Sequence, residues 1–126
     1  MRIHSLRLLV LAVVAAGCRQ ADVTALPSTG LSGIVMRGPV MPVCKAQSPC
    51  EAPFSASFTV QARGRTVAGF RSDSMGHFHV RLEPGSYVVV PSAGAPIISP
   101  TNQTKPVVVG PAGLTVVQLN FDTGIR

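Results

Sequence analysis

The chain has 126 residues, of which 46% are hydrophobic and 13% charged, with eleven Lys and Arg against five Asp and Glu and a formal charge of +6. That length suits one domain around one core. Five acids give an enzyme little to work with, and the absence of Trp with a single Tyr leaves few aromatics for stacking nucleic-acid bases.

The first eighteen residues read MRIHSLRLLVLAVVAAGC. Arg2 and Arg7 make a positive start, Leu8 to Ala16 is an unbroken apolar run, and Ala15-Ala16-Gly17 are small. That layout predicts a secretory signal peptide over residues 1–17. The apolar run falls short of the roughly 18 residues a spanning helix needs. The ending AAGC resembles the lipobox of bacterial lipoproteins. The resemblance implies a mature chain that starts at Cys18 and carries about three acyl chains, palmitate among them, which at ~0.8 kcal/mol per buried CH₂ anchor firmly. Its second residue is Arg19, not the Asp that holds some such lipoproteins at the inner membrane, so the resemblance implies a cell-envelope protein at the outer membrane. Cleavage leaves 109 of the 126 residues and removes two of the eleven basic ones, so nine cations face five acids, a charge of +4.

Residues 18–29 show no sustained periodicity and end in Pro-Ser-Thr, so they are expected to form a tether. From residue 30 onward Gly and Pro punctuate segments rich in Val, Ile, Phe and Thr, and no helical stripe runs over ten residues. That pattern predicts an all-β sandwich over residues 30–126. The first expected strand is SGIVMRG. The segment MPVCKAQSPCEAP follows, with five residues, Pro49 among them, between Cys44 and Cys50. Outside the cytoplasm an even pair of cysteines forms a disulfide. A zinc site wants four ligands and no other Cys or nearby His is available, while a redox motif wants C-x-x-C. A disulfide is therefore the expected state and free thiols the alternative.

FSASFTVQAR alternates, with Phe54, Ala56, Phe58 and Val60 on one face. TVAGFR and HFHVRLE flank the turn SDSMG. SYVVVPS follows the Pro84-Gly85 turn; a Pro-rich loop over 91–106 leads to PVVVG, and Pro111-Ala112-Gly113 turns the chain into LTVVQLNFD. Seven strands result. In HFHVRLE, His77 and His79 lie two apart and project from one face, beside Arg81, while Phe78, Val80 and Leu82 point inward. Two solvated histidines are the plain expectation. A copper site is the alternative, with imidazoles from His77 and His79 and a thioether from Met75, Met36 or Met41, although Arg71 and Arg81 would disfavour a bound cation.

GLSGIVMRGPVMPVC…PCEAP followed by FRSDSMGHFHVRLEPGSYVVVP resembles the carboxypeptidase regulatory-like domains. This resemblance, over about Gly30 to Asp122, implies a seven-stranded Greek-key sandwich of transthyretin-like type. It carries over Gly76 and Gly85 as turn glycines, Asp73 as a turn-capping acid, and Phe78 and Tyr87 as core-facing aromatics. It further implies an accessory, adhesive or binding module; fold alone assigns no function.

Other constellations lack support. FDTG near the end resembles the aspartic-protease triplet, but no second triplet supplies the paired carboxylate and too few residues follow for a cleft; Asp122 and Gly124 are expected to end the last strand. A Lys–Asn isopeptide bond, as in adhesins, would need a lysine in SGIVMRG, and Asn120 lies opposite Leu119 and Phe121. The Tyr-Arg-Gly-Ser tail of transthyretin-like hydrolases is not present either. The scattered Arg37, Lys45, Arg63, Arg65, Arg71 and Arg81 allow attraction to anionic lipid or envelope polymers. The expectation is a non-enzymatic, lipid-anchored envelope protein without a cofactor. Its partners would be the membrane, through Cys18, and an envelope glycan or protein, but not nucleic acid.

Overall fold

The structure, a computed structural model, describes residues 26–126. The expected signal segment 1–17, the acylated Cys18 and the first part of the tether lie outside the described residues. Eight strands follow in order: β1 (Gly30–Gly38), β2 (Ala52–Pro53), β3 (Ser57–Ala62), β4 (Arg65–Arg71), β5 (His77–Arg81), β6 (Gly85–Pro91), β7 (Lys105–Val109) and β8 (Leu114–Asp122). Apart from the two-residue β2 they are the seven expected strands, with ends shifted by up to three residues. A short 3₁₀ turn, Pro100–Asn102, sits in the Pro-rich loop.

The strands form two four-stranded sheets. In the first, β1 is central: β8 runs parallel along one edge, and the other edge pairs antiparallel with β5 over Gly30–Ile34 and with β2 at Met36 and Arg37. The second sheet, ordered β4-β3-β6-β7, is antiparallel throughout. A sandwich follows because each strand is apolar on alternate residues and must bury that face against the other sheet. Leu31 and Val35 of β1, Phe58 and Val60 of β3, Phe78 and Val80 of β5, Val89 of β6, Val107 and Val109 of β7 and Leu119 and Phe121 of β8 fill the interior. All five phenylalanines of the chain touch in one cluster. Phe70 stacks on Phe58 at 4.9 Å and on Phe78 at 4.4 Å, so it joins the two sheets, and Phe54 meets Phe121 edge-on at 5.9 Å. Such pairs contribute about 0.5–1.5 kcal/mol each beyond the area they bury.

The expected strand FSASFTVQAR starts three residues late, at Ser57, and β2 lies before it in the segment expected as loop. Ala52–Pro53 pairs in the first sheet and Ser57–Ala62 in the second, so residues 54–56 carry the chain across the sandwich edge. Phe54, Ala56, Phe58 and Val60 are nevertheless all buried, because the alternation continues through the crossing. Ser72 makes the crossing possible: its buried hydroxyl donates to the Phe54 carbonyl at 2.8 Å and accepts from the Ala56 amide at 2.9 Å, standing in for lost ladder bonds.

The two ends of the sandwich differ. Residues 26–29, the Arg63-Gly64 hairpin turn, residues 82–84 and the turn 110–113 share one end. Residues 39–51, the loop 92–104 and the C-terminal 123–126 share the other.

Candidate functional site

Strand β5 alternates cleanly, with Phe78 and Val80 buried and His77, His79 and Arg81 exposed. On the same outer face of β1, His77 stands opposite Ile34 and His79 opposite Ser32. A recess of about 420 Å³ there is lined by Ser32, Arg71, Asp73, His77 and His79. The Asp73 carboxylate is already engaged: one oxygen accepts from the Met75 and His77 amides, both at 2.9 Å, closing the turn before β5. Gly76 completes that turn at φ +77°, and a Cβ there would stand 2.5 Å from the Val35 carbonyl oxygen. The Arg71 guanidinium donates to the Ser57 hydroxyl at 3.0 Å. Met75 is exposed in the turn, Met36 lies in β1 opposite Pro53, and Met41 lies in the stapled loop. Among the described residues, no group of three or more His, Cys, Asp or Glu is placed to hold a metal ion. The face thus offers two imidazoles and a neighbouring cation.

A second recess, of about 340 Å³, opens under the loop 39–51 and is lined by Met36, Arg37, Pro39, Cys44, Cys50 and Phe121, among others. Cys44 and Cys50 are bonded as a disulfide, with Cα atoms 5.4 Å apart, inside the span such a bond bridges. The Val40 amide donates to the Cys50 carbonyl at 2.8 Å, which folds the loop back on β1. Arg37 follows Leu31, Gly33 and Val35 on the inward side of β1, and one terminal nitrogen donates to the Pro96 carbonyl at 2.9 Å. Its Nε is enclosed without a partner.

The remaining polar side chains singled out in the sequence close turns and ends. Gly85 opens β6 at φ +154°, a backbone conformation that side-chain-bearing residues rarely adopt, and the Tyr87 hydroxyl two residues on donates to the Glu83 carbonyl at 2.6 Å. Its ring packs against the core. This is the tyrosine-corner arrangement seen at sandwich edges. Asp122 accepts from the Gly124 amide at 2.8 Å and pairs with Arg126 at 3.0 Å. The Arg126 guanidinium and that amide hold the Asp122 carboxyl below its ordinary range. The Thr123 hydroxyl donates to the Pro39 carbonyl at 2.6 Å. The Asp-Thr-Gly triplet therefore fastens β8 to the loop after β1. Asn120 is exposed and accepts from Gln118 on its own strand.

Three side chains that organise these sites carry no sequence signal: Ser72, Arg37 and Gln103. The Gln103 amide group both donates to the Asp122 carbonyl, at 2.9 Å, and accepts from the Asp122 amide, at 2.8 Å, as a paired strand would. Only the crossing of distant segments gives these residues their roles.

Fold and site together define an all-β sandwich with a disulfide-stapled loop and an exposed histidine pair. No family model matches the chain, and no curated protein matches it significantly. Among solved structures it is similar to a DUF3823 family protein from Bacteroides ovatus ATCC 8483, at 22% identity and a TM-score of 0.52. The match covers 75% of this chain and 44% of that one, so this chain spans less than half the length of its neighbour. At that identity the likeness speaks to the fold alone.

Proposed function

We propose that this chain is a lipid-anchored protein of the bacterial cell envelope, held at the outer membrane through Cys18. Its sandwich, of the transthyretin-like Greek-key type found in carboxypeptidase regulatory-like domains, acts without catalysis as a binding or structural module for an envelope glycan or protein. The supporting observation is how the polar groups are used. Asp73, Asp122, Ser72, Thr29 and Tyr87 each bond the backbone at a turn, a crossing or a strand end, which is the work of a scaffold. The leader sequence and AAGC ending supply the anchor. Replacing Cys18 by Ser should move the protein from the membrane fraction to the soluble envelope fraction in high salt; retention in the membrane would contradict the anchor.

A second reading has an observation of its own: His77 and His79 are exposed on one face of β5 with Met75 exposed in the preceding turn. Under it the protein binds copper or another soft metal. A titration with Cu(I) and Cu(II) decides the matter, and the absence of binding tighter than micromolar removes that reading.

A further inference from the structure

The hairpin between β3 and β4 turns on two residues, Arg63 at φ +53° and Gly64 at φ +76°. Both central positions of such a turn need left-handed backbone, which Asn, Asp and Gly supply at low cost. An arginine there brings its Cβ against the following carbonyl oxygen, so folding alone would favour another residue. Arg65 opens β4 next to it and is exposed, as is Val67 two residues on. Val67 in turn lines a recess of about 400 Å³ with Pro27, Ala62, Arg81 and Leu82. The Arg81 guanidinium donates to the Ser28 carbonyl at 3.3 Å. Three arginines thus lie at the end where the chain joins the sandwich from its N-terminal side, and Arg81 touches the entering segment itself.

Charge at the two ends is deployed differently. At the far end Arg37 bonds Pro96, Arg71 bonds Ser57, Arg126 pairs with Asp122 and the Lys105 ammonium lies 5.2 Å over the Phe121 ring, which leaves exposed Lys45 as the cation there without a described partner. Arg63 and Arg65 bond no described residue, and Glu83 is the one acid among the described residues of this end. Exposed Leu26, Val67 and Leu114 lie at the same end, apolar groups of the kind that settle at the headgroup boundary.

We propose that this end is a docking surface for anionic lipid headgroups, with Arg63, Arg65 and Arg81 as its cations and the three exposed apolar side chains as its contact with the membrane boundary. The orientation rests on the lipid-anchored reading, because a tether entering here holds this end towards the membrane; the arginines themselves act without an acyl chain. An acylated chain with such a patch has two membrane signals, one hydrophobic and one electrostatic.

The test uses the mature chain carrying Cys18→Ser, sedimented with phosphatidylcholine vesicles with and without phosphatidylglycerol. Binding is expected only to the anionic vesicles and should weaken as salt rises. Arg63→Asn, Arg65→Gln and Arg81→Gln should each lower it about fivefold, the equivalent of ~1 kcal/mol per basic residue near a membrane. Lys45→Gln with Arg126→Gln, at the far end, should lose less than the Arg65→Gln, Arg81→Gln pair. Arg63→Asn guards against loss of fold, because relief of the left-handed arginine should hold or raise the melting temperature while binding falls. Equal binding to neutral vesicles, or undiminished binding by the triple variant, would overturn the proposal. So would retention on a soluble anionic polysaccharide without vesicle binding. Failure of the anchor itself is read separately, as an unacylated N-terminus, and leaves these vesicle results standing.

Discussion

Ser72 has only a hydroxyl to offer, yet it serves the Phe54 carbonyl and the Ala56 amide at once, where the chain passes from one sheet to the other. It is 1% exposed, so no water replaces it if it is lost. Ser72→Ala leaves two buried backbone groups unpaired and should cost about 1–3 kcal/mol, read as a lower denaturation midpoint with an unchanged slope. A loss below half that amount would mean the crossing is held by its apolar contacts instead. Asp122 and Arg126 make the opposite kind of contact, at the surface, with both side chains substantially exposed. Because the folded-state pKa of Asp122 is depressed, its contribution to stability is present above the ordinary aspartate range and is lost as pH falls through the lowered folded-state value. Arg126→Gln should therefore raise the Asp122 titration midpoint, followed by carboxyl carbon NMR. An unmoved midpoint would show that the Gly124 amide, not the guanidinium, holds it down.

At the scale of elements, the stapled loop and the strands were legible to different depths. Alternation placed Phe54 to Val60, Phe78 to Leu82 and Leu119 with Phe121 in the interior, because a two-residue period states directly which side chains share a face. The turns at Asp73-Gly76 and Pro84-Gly85 were legible from their residue types. What alternation cannot say is which sheet a strand joins. The division between β2 and β3 and the parallel pairing of β1 with β8 arise from long-range pairing, as do the roles of Ser72, Arg37 and Gln103. The candidate site was legible as residue types only: His77 and His79 share an exposed face, but the engagement of Asp73 by the turn needed the fold. For the loop, closing so short a ring contributes about 2 kcal/mol on chain-entropy grounds. Replacing Cys44 and Cys50 by Ser should lower the melting temperature by about 8–16 °C at about 4–8 °C per kcal/mol for a domain of this size. The β-rich circular dichroism spectrum should stay, since Cys44 is exposed and neither cysteine belongs to the core cluster. An unchanged melting point would mean the bond constrains nothing that unfolding releases.

Taken whole, the molecule as proposed joins a leader and lipobox-like AAGC to a sandwich whose described polar groups largely hold its own turns and crossings. Its function as proposed depends on being held at a membrane, and one covalent fact decides that. The intact mass of the protein purified from its native membrane reads the N-terminus directly. The expected result is a mature chain beginning at Cys18 and heavier than its sequence by a diacylglyceryl group and a further acyl chain. An unmodified N-terminus at any other residue would contradict the anchor, the envelope placement and the membrane-facing orientation together.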